Sequence, residues 1–225
     1  MLLVDSADRQ AILQALQYPG VQGVTTNPAL MARAAGADVL SLDDYVAAAR
    51  RLCNMSAGIG AFRHLMIQAV GDADSALRQA ALYLDDLKAA RDKKLWIKLT
   101  PTPASVACCP ALREIGCAAL VTAVFTPTQA YVAMEAGADG IAVYLGRLMR
   151  LEAEWEKTLE TIAAVVKSAE RTLLLASFPD RRAIDVGLRY SRDITAPPAV
   201  LDELLASSLS QSAIKGFDQK IAWNG

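Results

Sequence analysis

The chain alternates short apolar runs with amphipathic stretches from one end to the other. The apolar runs are Leu2–Val4, Val21–Thr25, Leu65–Val70, Leu95–Leu99, Ala118–Val124, Gly140–Leu145, Leu173–Ala176 and Asp193–Ala196. Each is short enough for a strand buried on both faces. Between them, Asp8–Leu16, Asp74–Ala90, Thr126–Ala136, Glu152–Ala169 and Arg181–Leu188 carry apolar residues at helical spacing. Ser6 and Asp72 or Asp74 stand where helix N-caps are expected, and Gly137 where a helix should end. Strand–helix alternation predicts a parallel sheet with right-handed crossovers. Eight such units in a chain of 225 residues predict a single (β/α)8 TIM barrel spanning residues 1–225. An open doubly wound sheet is the alternative, but no G-x-G-x-x-G opens any helix.

Two segments fall outside the repeat. Asp43–Met55 reads as an extra helix between the second and third strands, after a break at Gly36-Ala37. Residues 211–225 carry Phe217, Ile221 and Trp223 beyond the eighth unit and read as a helical tail that docks on this subunit or on a neighbour.

Composition narrows the function. The hydrophobic share of 53% suits strands buried on both faces, and the net charge of −1 offers no basic surplus for nucleic acid. No run approaches the length of a membrane span, and the Met1–Asp5 start reads as a strand rather than a signal peptide. Cys53, Cys108, Cys109 and Cys117 lack metal-binding spacing, and one histidine cannot complete a zinc site. No metal and no cofactor are expected, and reduced thiols suit the cytoplasm. A Ser-His-Asp triad would have to use His64, which has no serine elbow near it, so His64 reads as a surface or strand-entry residue.

One residue breaks the pattern with consequence. Lys98 lies inside Leu95-Trp96-Ile97-Lys98-Leu99-Thr100, between Lys93-Lys94 and Pro101. Such a lysine can snorkel from a strand end to water. If it stays buried, the ammonium is disfavoured and the neutral amine becomes a Schiff-base nucleophile. In a barrel the active site lies at the C-terminal strand ends. Asp5, Thr25-Thr26-Asn27, Gln68, Lys98, Thr122, Tyr144 and Ser177 all fall there, so every strand but the eighth supplies a polar group. Singly, each has an ordinary reading as a cap, a strand residue or a backbone partner. Jointly they suit iminium chemistry on a ketose. Lys98 is the nucleophile, and Tyr144 is an acid/base acting directly or through a water held by Gln68 and Thr122. Asp5 and Asn27 suit sugar hydroxyls, and Asp5 can also shuttle a proton.

Five ordered motifs then carry a resemblance: Val24-Thr25-Thr26-Asn27-Pro28, Ile97-Lys98, Val121-Thr122-Ala123-Val124-Phe125, Tyr144-Leu145-Gly146-Arg147-Leu148 and Leu175-Ala176-Ser177-Phe178. With Ala196-Pro197-Pro198-Ala199-Val200-Leu201 and the aromatic tail, the chain resembles the transaldolase family, class I aldolases on a (β/α)8 barrel. The resemblance implies that Lys98 forms the Schiff base, that Asp5, Thr26 and Asn27 belong to the site, and that Arg147 and Ser177 hold a substrate phosphate. It also implies rings of five or ten subunits built through the tail. Gln68, Leu120 and Tyr144 stand where transaldolases typically carry glutamate, asparagine and phenylalanine. All three choices resemble the fructose-6-phosphate aldolase branch, which uses free dihydroxyacetone. A true transaldolase and a non-catalytic sugar-phosphate-binding barrel are the alternatives. Pro179 stands where the family usually places a phosphate-holding base, with Arg181 and Arg182 nearby. The substrate is therefore expected to be a ketose and an aldehyde, phosphorylated or not.

Overall fold

The computed structural model describes residues 1–59, 62–88, 90 and 92–218. Eight parallel strands close into a barrel in sequence order: β1 (Leu2–Asp5), β2 (Val21–Thr25), β3 (His64–Gln68), β4 (Lys94–Leu99), β5 (Ala118–Val124), β6 (Gly140–Tyr144), β7 (Thr172–Ala176) and β8 (Asp193–Ala196). Twelve helices surround it among the described residues: α1 (Arg9–Ala15), α2 (Pro28–Ala34), α3 (Leu42–Ala57), α4 (Ala73–Leu87), α5 (Pro103–Val106), α6 (Cys109–Glu114), α7 (Pro127–Glu135), α8 (Leu145–Leu151), α9 (Trp155–Ser168), α10 (Arg181–Gly187), α11 (Pro198–Asp202) and α12 (Ser208–Asp218). The expected single barrel is therefore present, with α3 as the extra helix between β2 and β3.

Side chains alternate across each strand, which divides the apolar residues into two cores. The inner core is Leu3, Met66, Trp96, Ala118, Leu120, Ala142 and Leu174, all buried. The outer core lies between barrel and helices and includes Val4, Ile67, Ile97, Val121, Ile141 and Leu175. Each such aliphatic side chain contributes about 1.5–3 kcal/mol by leaving water. The same parity decides which polar groups reach the barrel mouth. Asp5, Gln68, Lys98, Thr122 and Tyr144 each lie two residues beyond an inner-core residue, so the strands present them on the inner side.

Local chemistry explains the helix boundaries. Asp8, rather than Ser6, caps α1 by accepting from the Ala11 amide, while Ser6 Oγ accepts from the Asp8 amide. Asp72 caps α4, and Thr126 with Gln129 forms a capping box on α7. At the other end of the barrel β2 and β3 approach so closely that a Cβ on Gly23 would sit 1.9 Å from the His64 carbonyl oxygen. Only glycine fits there.

The tail differs from expectation in part. Its helix forms, but every residue from Ser208 to Phe217 is exposed, so this part does not dock on its own barrel. Ile221 and Trp223 lie outside the described residues. No helix among the described residues is long and apolar enough to cross a membrane.

Candidate active site

The last inner-facing residue of β4 is Lys98, only 4% exposed. Its Nζ donates to the Thr26 carbonyl at 2.9 Å. Burial pushes its pKa below the ordinary lysine value, and the Asp5 carboxylate pulls it partly back. Of the two readings open for this lysine, the structure has the buried one. The neutral amine is correspondingly easier to reach, which is what a Schiff-base nucleophile needs.

A cleft of about 140 Å³ opens over Lys98 at the C-terminal strand ends, lined also by Asp5, Asn27, Tyr144, Arg147, Ser177 and Thr195. Two larger clefts, of about 470 and 480 Å³, lie outside it, among the loops and helices around α2 and α3. Neither reaches Lys98, so size does not mark the site here.

Asp5, at the end of β1, accepts from Thr25 Oγ1 at 2.7 Å. Thr25 Oγ1 also lies 2.6 Å from Thr195 Oγ1. Because the single Thr25 proton goes to Asp5, Thr195 must donate in the second bond. The result is a directed chain from β8 through β2 to β1, Thr195 to Thr25 to Asp5, with both threonines buried. The eighth strand therefore does supply a polar group, contrary to the sequence reading. A sign was available: Thr195 shares the inward parity of its strand, but the run is only four residues long.

Neighbouring threonines divide the labour differently from expectation. Thr26 meets Lys98 through its backbone carbonyl, and its hydroxyl is buried without a hydrogen-bond partner. Thr25 is the one whose side chain joins the polar network. Asn27 lines the cleft while its Oδ1 caps α2 by accepting from the Leu30 amide at 3.0 Å. Its amide NH2 is the part not used by the cap.

Tyr144 ends β6 and faces Lys98 across the cleft. Its hydroxyl accepts from Thr122 Oγ1 at 3.3 Å, which leaves the phenol proton for the cleft. The ring is held edge-on by Phe125 at 6.0 Å, and the Arg147 guanidinium lies 5.5 Å from its centroid. Arg147 itself is exposed on the first turn of α8. Gly146 fixes that turn: a Cβ there would lie 2.1 Å from the Ser177 carbonyl oxygen and 2.8 Å from Pro179 Cδ. Ser177 adopts the left-handed region, φ 65°, to make this approach. The contact brings Arg147 and Ser177 into one cleft and uses Pro179 as packing. Arg181 and Arg182, in the first turn of α10, do not line the cleft.

Gln68 and Leu120 flank Lys98 in register on β3 and β5. Leu120 is buried in the inner core, and the inner-core residues that line the cleft are Ala142 and Leu174. Gln68 lines a neighbouring cleft of about 210 Å³ with Thr100 and Ser105, and its side chain bonds neither Lys98 nor Tyr144. Its backbone carbonyl accepts from the Tyr45 hydroxyl.

Comparisons with known proteins bear on the family and the fold. A probable transaldolase of Geobacter sulfurreducens is 27% identical over 217 residues, covering 95% of this chain and 94% of its own. One from Thermus thermophilus is 25% identical, covering 96% and 95%. Among solved structures, a 2,3-dimethylmalate lyase superposes with a TM-score of 0.61 at 14% identity, over 97% of this chain and 82% of its own, a likeness of fold alone. Residues 2–224 match the transaldolase/fructose-6-phosphate aldolase family. With a buried amine at the mouth of a closed eight-stranded barrel and a family match over nearly its whole length, this chain belongs to the transaldolase/fructose-6-phosphate aldolase family, whose chemistry is of the Schiff-base aldolase type.

Proposed function

We propose that the protein is a dihydroxyacetone-using class I aldolase of the fructose-6-phosphate aldolase kind. The observation that carries this reading is the pairing of the buried Lys98 amine with the Tyr144 phenol across one small cleft. The Lys98 amine adds to the ketone carbon of a ketose, and the carbinolamine loses water to give the iminium. A base takes the proton of the hydroxyl two carbons away, the intervening carbon–carbon bond breaks, and its electron pair flows to the iminium nitrogen. The aldehyde leaves and an enamine remains. Protonation of the enamine carbon and hydrolysis release dihydroxyacetone and restore the amine. Tyr144 is the proton carrier for the aldehyde oxygen, held by Thr122. Asp5 balances the iminium charge and binds hydroxyls with Asn27. Gln68 and Leu120, beside Lys98, favour release of dihydroxyacetone over retention for transfer. Arg147 and Ser177 receive the phosphate of a phosphorylated aldehyde, and Pro179 leaves Arg147 as the only arginine of that subsite among the described residues. Acceptors without phosphate therefore also fit.

Changing Tyr144 to Phe tests the reading. Cleavage of fructose 6-phosphate should fall by about 10²-fold or more, the range expected for loss of a general acid/base. An unchanged rate would remove the phenol from the mechanism. The second reading, a true transaldolase, is favoured by the naming of the full-length relatives. It predicts sedoheptulose 7-phosphate from fructose 6-phosphate and erythrose 4-phosphate with little free dihydroxyacetone. A barrel that binds sugar phosphate without catalysis would give neither product.

The exposed apolar face of α12, with Leu209, Ile214 and Phe217, supports a homo-oligomer built through the tail. Deleting residues 208–225 should lower the mass in sedimentation, and an unchanged mass would refute this. Four free, buried cysteines suit a reducing cytoplasm, which cell fractionation checks.

A further inference from the structure

Strand β5 and the residue that follows it hold Tyr144 at two points, the Thr122 hydroxyl and the Phe125 ring. These residues are three apart, and in a regular strand they would face opposite sides. A bulge reconciles them. Leu120 pairs with Gly140 and Val121 with Ile141, but the next pair is Val124 with Val143. Thr122 and Ala123 therefore stand opposite the single residue Ala142. Parity shifts with the bulge: Leu120 is inner core, while Val121 and Val124, three apart, both belong to the outer core. Without the extra residue, Val124 would pair with Tyr144, and its isopropyl group would face the mouth beside the phenol.

The bulge is held at Ala123, whose φ of 57° lies in the left-handed region. Alanine adopts that conformation only where its surroundings insist, and glycine is the usual occupant. Ala123 does not line the cleft itself, so it acts on the reaction through Thr122 and Phe125.

We propose that the Ala123 bulge is a positioning element for the Tyr144 phenol, setting the Thr122 hydroxyl and the Phe125 ring against it and turning Val124 out of the mouth. This rests on the reading of Tyr144 as acid/base.

The test is a four-protein cycle of the full chain: unaltered, Ala123→Val, Tyr144→Phe and the double variant. Valine is β-branched and resists the left-handed region more than alanine. Ala123→Val should lower kcat for fructose 6-phosphate cleavage by about 10-fold or more, as expected for a misplaced catalytic group. KM should stay within about twofold and the borohydride-trapped dihydroxyacetone adduct on Lys98 should remain stoichiometric, because β4 is untouched. In the Tyr144→Phe background the same substitution should cost almost nothing. Ala123→Gly, which fits the bulge, should keep kcat within about threefold of the unaltered protein. An equal loss in both backgrounds, or an Ala123→Val protein with full kcat, would overturn the proposal. If Ala123→Val does not fold, Ala123→Thr, also β-branched, runs the same cycle with the same deciding outcomes. Tyr144→Phe with full activity would instead reject the phenol's role, a distinct result read from the single variant alone.

Discussion

Strand β4 carries two inward-facing lysines four residues apart, one at each end of the barrel, and they live in different chemistry. Lys94 is exposed at the N-terminal end, its Nζ 4.2 Å from the centroid of the Trp96 ring. The same indole donates to His64 Nδ1 at 3.3 Å, and the Met1 ammonium pairs with Asp193 beside them. Water reaches Lys94, and an exposed cation over a ring contributes about 0.5–1 kcal/mol. Lys98 lies beyond Trp96, almost wholly buried at the bottom of the cleft, with its Nζ donating to the Thr26 carbonyl. Same residue, same strand, same face: what separates an inert lysine from a candidate nucleophile is which side of Trp96 it occupies. Desolvation does what residue type alone does not.

The comparison breaks most decisively at the lysines themselves. Lys98→Met should abolish the trapped ketose adduct and reduce turnover on the order of 10⁴–10⁶-fold, as removal of a covalent nucleophile does elsewhere. Lys94→Met should leave adduct and turnover within about twofold, the outcome for a surface position. Mass mapping of the adduct decides, and an adduct on Lys94 would end the argument from burial.

A smaller effect should come from the far wall of the mouth. Thr195→Val keeps the shape of the side chain but removes the donor to Thr25 Oγ1, loosening the support of Asp5. One lost hydrogen bond of this kind is worth about 0.5–1.5 kcal/mol, which corresponds to a fall in kcat of up to roughly 10-fold if Asp5 shifts with it. Steady-state kinetics beside thermal melting checks this. A loss of melting temperature with unchanged kcat would make the threonine chain purely structural.

The two ends were not equally legible beforehand. All eight strands could be located within a residue or two, because each is a short apolar run between polar or glycine-bearing breaks. Lys98 was legible as an interruption of one run. Its burial was not, since that depends on Trp96 below and Thr26 across the sheet. Thr25 and Thr26 are adjacent, and choosing between them needs the parity of β2, which only the partners of Leu65 and Met66 reveal. Thr195 hid in the shortest kind of run. Helices α5, α6 and α11 have four to six residues, too few for a 3.6-residue period to show. The Ala123 bulge gave no signal at all, because alanine is not a residue that announces a left-handed turn. Gln68, read as holding a water for Tyr144, lies beside Lys98 in register but opens on the neighbouring cleft, a matter of side-chain direction at the strand end.

The smallest effect belongs to the open end and should leave catalysis alone. His64 is half-buried, and burial, then Lys94, then the N-terminal ammonium lower its pKa below 6.5. The unfolded chain therefore takes up the proton first as pH falls, and the folded barrel resists it. Stability from the neutral imidazole is whole above about pH 6.5, declines as pH drops from there through the lowered native value, and is level below it. Melting temperature measured from pH 7.5 to 5 should fall more steeply for the unaltered chain than for His64→Gln, which cannot take up that proton. Lys94→Met removes the second-largest cause of the shift, so it should flatten the same slope partway without touching Lys98. Identical slopes in all three proteins would mean that the charges of the open end do not couple to folding. The contrast between the two lysines would then rest on the closed end alone.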